Sequence, residues 1–286
     1  MMKDKHLHIS GSMMVFIGAL FWSLNSPLVK FLPLDGIMVC GLRSVIAGIV
    51  LAPFIRRKQL NWTPWMLVYV VSYMMVCFCV LVALKLTSTP IAIGMQYTSI
   101  IWLFLATTIK TKRFNVRGFI PVAVIFAGVI LFMCSGTDKA SHMGNLLALM
   151  SGVFFALMTV SSKKSAGTNP IGLTALANIF TAVALTAIFP KTVLNFGMMT
   201  GRDWVIMLIL GIVQVGAGYG FYIMGVQKVR PQKAAVLALW EMILGPVWVA
   251  LFLKEYPSLI VIIGFVIVIV GIVLDAKMSE IETPQL

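Results

Sequence analysis

The chain contains apolar runs too long for a water-soluble core to use. Ile91 to Ile109 and Leu259 to Leu274 carry no charged residue, and they approach or exceed the roughly 17 to 20 residues that cross a hydrocarbon layer as a helix. Within a bilayer every backbone polar group must find its partner inside the protein, which leaves helices as the structure for such runs. Apolar residues make up 60% of the 286 positions and charged residues 11%, against about 45–50% and about 25% in soluble domains. An all-α integral membrane protein embedded in a lipid bilayer is the fold class these runs require.

The formal charge of +13 would suit a polyanion partner, but Lys and Arg sit mainly in the short gaps between apolar runs, where they anchor helix ends and set topology. No gap offers a basic face or a separate domain, so no nucleic acid is expected as a partner. Cys40, Cys77, Cys79 and Cys134 all lie inside apolar runs and read as buried thiols, without a second cysteine pair at zinc spacing. The apolar stretch from Met13 outlasts a signal-peptide core, so a retained first span is expected.

Apolar runs and their polar or Pro/Gly breaks place spans near 13–31, 36–55, 65–84, 88–109 and 117–135, then near 144–162, 170–189, 204–224, 232–253 and 258–274. The two sets align. Gly11 to Lys30 lies over Gly144 to Lys163 without a gap, Pro90 matches Pro231, and Gly128-Val-Ile-Leu matches Gly271-Ile-Val-Leu. Their shared order indicates duplication, with a first five-helix repeat over 1–136, a second over 143–275 and a tail over 276–286. An odd number of spans per repeat makes the repeats inverted, giving ten transmembrane helices as two inverted five-helix halves. With a cytoplasmic amino terminus, fifteen basic residues fall inside and six outside, Arg43 being intramembrane. The positive-inside rule therefore expects a multi-pass cell-membrane protein with both termini, and the tail, in the cytoplasm.

The segment Leu239 to Glu255, LWEMILGPVWVALFLKE, has an early Glu, a mid-helix Gly-Pro and a closing Glu before the last span. It resembles the ninth-span pattern of the drug/metabolite transporter superfamily, in its ten-helix EamA-like branch. LFWSLNSPLVK in the first span, Arg43-Ser44, QYTSIIW in the fourth span and GNLLALMSGVFFA in the sixth support the resemblance. Two departures stand out: Ile100 occupies a place where the family often has Pro, and Arg113-Phe114 sits where the second half has Lys254-Glu255. The resemblance implies export or uptake of amino acids, other metabolites or drugs, with no cofactor and no ATPase.

Charged groups at membrane depth are costly and mark candidate sites. Glu241, in the ninth span, reads either as a protonation site or contact for a cationic substrate group, or as a packing carboxylate. Arg43, in the second span, reads either as a carboxylate-binding guanidinium or as a structural partner of Glu241. Trp22 with Asn25, and Gln96 with Ser99, are each three residues apart and share a helix face. Together with Gln214, Tyr219, Tyr222 and Trp240 they are candidates to line one substrate cavity, ordinary interhelical packing and hydrogen bonding being the alternative, as for Asn178. Pro27 and Pro246 are expected to interrupt their helices.

No GxxxxGK[ST] string occurs, and no GxSxG or HExxH, while His6, His8 and His142 lie outside the spans. A secondary transporter is therefore expected, its cavity lined by spans one to four and six to nine, with spans five and ten at the periphery or an oligomer interface. Protons are a candidate coupling ion through Glu241. A solute channel, and less so a membrane-embedded enzyme, are the alternatives.

Overall fold

The computed structural model describes residues 10–56, 60, 62–134, 141–165, 168–226, 228–229 and 231–282. Six of the basic residues counted for topology, Lys3, Lys5, Arg57, Lys58, Lys139 and Arg230, and the histidines His6 and His8 lie outside the described residues. Among the described residues every regular element is helical, and ten helices are long and apolar enough to cross a membrane. They are span 1 (Gly11–Phe31), span 2 (Gly36–Phe54), span 3 (Pro64–Leu86), span 4 (Thr89–Thr111), span 5 (Val116–Cys134), span 6 (His142–Lys164), span 7 (Pro170–Ile188), span 8 (Gly201–Gly225), span 9 (Val236–Leu253, within a helix from Pro231) and span 10 (Leu259–Met278, within a helix to Glu282).

Local sequence explains where the helices begin. Pro64, Pro90, Pro170 and Pro231 stand in the first turn, where a missing N–H costs nothing. The Asp35 side chain accepts from Ile37 N at 2.7 Å and the Asn169 side chain from Ile171 N at 3.1 Å. Thr200 and Asp203 form a reciprocal capping box at the start of span 8.

The spans pack in a scheme that interleaves the two halves. Span 1 packs against spans 8 and 9, and span 6 against spans 3 and 4; span 2 packs against span 7, and span 5 against span 10. Exchanging each span for the one five places away leaves this scheme unchanged, as a duplicated chain requires. The span 5/span 10 seam is close: a Cβ on Gly128 would lie 2.7 Å from Gly264 O, and one on Gly264 would lie 3.0 Å from Gly128 O. Small residues allow this backbone approach, which is the main source of helix attraction where lipid removes the hydrophobic drive.

The two prolines behave differently from each other. Span 9 continues as one helix through Pro246, because the loss of a single i→i−4 bond is carried by the ladder on either side. Span 1 does break, as expected of Pro27: the interruption is at Leu24, between helices Gly11–Ser23 and Asn25–Phe31, in the turn where Pro27 cannot donate to Ser23 O.

Gly128→Leu is expected to force spans 5 and 10 apart and to cost roughly 1–3 kcal/mol of stability, the usual range for overpacking. Thermal unfolding in detergent checks this, with Gly220→Ala, whose Cβ meets nothing within 4 Å, as the control that leaves the midpoint undiminished.

Candidate functional site

Regular helix fails in three spans. Span 1 breaks at Leu24, whose N–H turns back to Phe21 O at 3.2 Å. Span 4 breaks at Tyr97 and Thr98, where i→i−3 bonds replace i→i−4 and the Thr98 hydroxyl donates to Met95 O at 2.6 Å. Span 8 is π-helical over Ile209–Ala217. Irregular backbone at membrane depth is tolerated where it borders protein or a cavity, and π segments are often found at functional sites.

A cavity of about 630 Å³ lies among these breaks. Trp22, Asn25, Arg43, Gln96, Ser99, Gln214, Tyr219, Tyr222 and Glu241 all line it, so nine of the ten side chains singled out from the sequence converge on one space. Trp240 does not: its ring is 41% exposed and packs edge-on against Phe16 at 5.7 Å, outside the cavity. One helical residue turns the direction by about 100°, so adjacency to Glu241 carries Trp240 onto another face. Span 7 contributes no lining residue, and span 10 contributes Ile272, Asp275 and Ala276. Span 7 is held behind spans 2 and 3, whereas span 10 reaches the cavity through its contacts with spans 4 and 9.

Arg43 is 4% exposed, and its Nη1 donates to Asn25 Oδ1 at 3.0 Å and to Gln214 Oε1 at 3.3 Å. Its buried Nε has no partner. Asn25 comes from the break in span 1 and Gln214 from the π segment, so the two irregularities place the acceptors that orient this guanidinium. Glu241 faces the same space and, among the described residues, forms neither a hydrogen bond nor an ion pair. Arg43 and Glu241 thus do not neutralise each other. The one ion pair among the described residues, Lys30–Glu255, is elsewhere.

Aromatic rings form the remaining wall. The Trp22 ring lies 4.8 Å from that of Tyr219 and 4.4 Å from that of Tyr222, and Tyr219 lies 6.2 Å from Tyr73. Trp22 sits against Gly218, where a Cβ would come within 2.8 Å of the indole. Trp22 Nε1 is buried without a partner. Behind this wall, fully buried Asn178 donates to Tyr73 Oη at 3.0 Å and to Thr174 O at 2.9 Å, so Asn178 supports the cavity without lining it.

Tyr73, Cys77 and Tyr97 line the cavity and were not singled out from the sequence. Tyr73, Val76, Cys77, Val80 and Leu84 form one stripe of span 3 at helical spacing, but span 3 is apolar all round, so the stripe lacks contrast. One end of the cavity is marked by Leu103, Thr159, Lys163 and Asp275, while Lys30 and Glu255, at the opposite ends of spans 1 and 9, do not line it. A cavity carrying a guanidinium, an unpaired carboxylate and several phenols can hold a small polar or amphipathic solute by charge, hydrogen bonds and ring contact. Among the described residues no group of three or more His, Cys, Asp or Glu is placed to hold a metal ion.

Comparison with known proteins agrees with this architecture. A family model described as the EamA-like transporter family matches residues 9–134 and again 142–275. A Bacillus subtilis (strain 168) protein called "Uncharacterized transporter YwfM" is 26% identical over 287 residues, covering 96% of each chain. A protein of known crystal structure, 17% identical, superimposes with a TM-score of 0.62 over 96% of this chain and 99% of its own, a likeness of fold alone.

Asn178→Ala is expected to leave the Tyr73 hydroxyl unsupported and to lower the thermal midpoint in detergent by the equivalent of about 1 kcal/mol, the usual worth of such a bond between membrane helices. Asn178→Asp, which keeps an oxygen at the site, is expected to lose less when assayed at low pH.

Proposed function

The chain belongs to the EamA-like transporter family, and from that premise we propose that it is a secondary transporter that carries a small metabolite or drug-like solute through the central cavity by alternating access. The observation that supports this most directly is the pair of opposite charges, Arg43 and Glu241, that face one cavity without pairing with each other. Buried charges left without a counterion are expensive, and a solute that supplies both counterions relieves that cost. A zwitterion of amino-acid size fits: its carboxylate meets the guanidinium held by Asn25 and Gln214, and its cationic group meets Glu241 beside the rings of Tyr97 and Tyr222. Trp22, Gln96, Ser99 and Tyr219 complete the binding surface. Because the cavity reaches the end marked by Lys163 and stops short of Lys30 and Glu255, the arrangement supports a carrier over an open pore.

Orientation follows from charge. Fifteen basic residues against six favour a cell-membrane protein whose two inverted halves leave both termini in the cytoplasm. The Lys163 end is then the cytoplasmic end, and a cavity that reaches it is placed to load from inside, which favours export. Glu241 is the central carboxylate available to take up a proton, so proton coupling is assigned to it.

Counterflow in proteoliposomes tests the proposal after a thermal-shift screen has named a substrate class. Arg43→Ala is expected to depress flux of carboxylate-bearing solutes about tenfold or more while sparing lipophilic cations, the cost of removing a charge-assisted fork. Equal loss for both classes would count against carboxylate recognition. Glu241→Gln is expected to retain exchange but abolish accumulation driven by a pH gradient; full accumulation would remove Glu241 as the coupling site.

A further inference from the structure

The two ends of the cavity are finished by corresponding residues with different charges. Lys30 stands one residue before the end of span 1, and Lys163 one residue before the end of its repeat mate, span 6. Span 1 packs beside span 9, and span 6 beside span 4. The helices of spans 9 and 4 each stop at a residue with left-handed backbone, Lys254 with φ 55° and Lys112 with φ 52°. These matching caps make Arg113 the counterpart of Glu255, one residue earlier than the sequence alignment placed it.

At the outer end Lys30 Nζ lies 2.5 Å from Glu255 Oε2, with side-chain exposures of 10% and 37%. Lys85 Nζ from span 3 donates to Val29 O and Leu32 O, both at 2.5 Å, and so caps the free carbonyls that end span 1. Spans 1, 3 and 9 are thereby joined at this end. At the inner end the equivalent positions hold Arg113 and Lys163, two like charges, and among the described residues neither makes an ion pair. Asp275 reaches the same end from span 10. Toward this end spans 4 and 6 line the cavity with Ile100, Leu103, Phe155, Met158 and Thr159.

We propose that Lys30 and Glu255 form the latch of the outer gate, and that the Arg113/Lys163 pair withholds the equivalent latch from the inner gate, so that the unloaded carrier rests open to the cytoplasm. Closing the inner end brings two cations together, while opening the outer end breaks an ion pair; both favour the inward-open state. This rests on the alternating-access reading and on the orientation assigned by charge, and it adds which state is occupied at rest and which residues set it.

Cys77, which lines the cavity, is a native reporter. Full-length protein in proteoliposomes of known sidedness is treated with membrane-impermeant methanethiosulfonates, one anionic and one cationic, and modification of Cys77 is resolved by fragment mass spectrometry. Wild-type Cys77 is expected to react from the cytoplasmic face. Glu255→Gln is expected to raise the outer-face rate about fivefold, the worth of a partly exposed ion pair, and the charge exchange Lys30→Glu with Glu255→Lys to return it to the wild-type value. Arg113→Glu, on an exposed residue, is expected to slow inner-face modification about fivefold for both reagents; slowing of the anionic reagent alone would report local charge and count against the inner half of the proposal. An outer-face rate unchanged by Glu255→Gln, or a charge exchange as open as the single variant, would overturn the latch. Wild-type Cys77 reacting equally from both faces would instead overturn alternating access itself, an outcome a missing latch does not produce.

Discussion

The constraint on which the rest of this structure depends is that a bilayer offers no partner to a backbone N–H or C=O. Most of each span answers it with regular helix. Where spans 1, 4 and 8 depart from that, the freed groups must turn toward protein or toward an enclosed space, so the three irregularities gather around one cavity. The same departures supply its chemistry: the break in span 1 carries Asn25, the break in span 4 carries Tyr97, and the π segment carries Gln214. Backbone irregularity and polar lining are thus one feature, because a polar side chain at this depth is stable only beside groups that also need partners.

Arg43 shows how that economy extends to charge. A lone guanidinium in an apolar span is costly, and here two neutral oxygens, from opposite halves of the chain, accept from a single nitrogen of it. Neutral acceptors orient the group without cancelling its charge, which leaves its field available to the cavity. A carboxylate partner would have made Arg43 structural. The same holds for Glu241, whose neighbours on the cavity wall are phenols, groups that line the space without supplying a counterion.

The parts of the fold and site legible in the sequence were those with contrast. Ten apolar runs broken by Pro, Gly and charge gave the spans to within a few residues at most ends, and Arg43 and Glu241 stood out because they interrupt apolar helices. What was not legible is direction. Trp22 and Trp240 are equally aromatic and equally close to polar neighbours, yet one faces the cavity and the other Phe16. Tyr73 and Cys77 lay hidden in a span where apolarity on every face removes the periodic signal, and Tyr97 lay between Gln96 and Ser99 without being singled out. Pro27 and Pro246 looked alike as helix breakers, but only span 1 is interrupted, in the turn before Pro27, while span 9 stays helical through Pro246. The register that sets Arg113 opposite Glu255 depends on a backbone dihedral angle, which composition does not encode.

The interleaved packing has a consequence for how the protein is made. Span 1 has its main neighbours in spans 8 and 9, span 2 in span 7, span 3 in span 6 and span 5 in span 10. As the chain leaves the ribosome and enters the bilayer in order, the first five helices must therefore wait, individually stable but mutually under-packed, until their partners are inserted. Assembly then proceeds from the centre of the chain outward, span 6 docking on span 3 first and span 10 closing on span 5 last. The lipid bilayer, by keeping each waiting helix intact, serves as the scaffold on which a half-made transporter survives long enough to be completed.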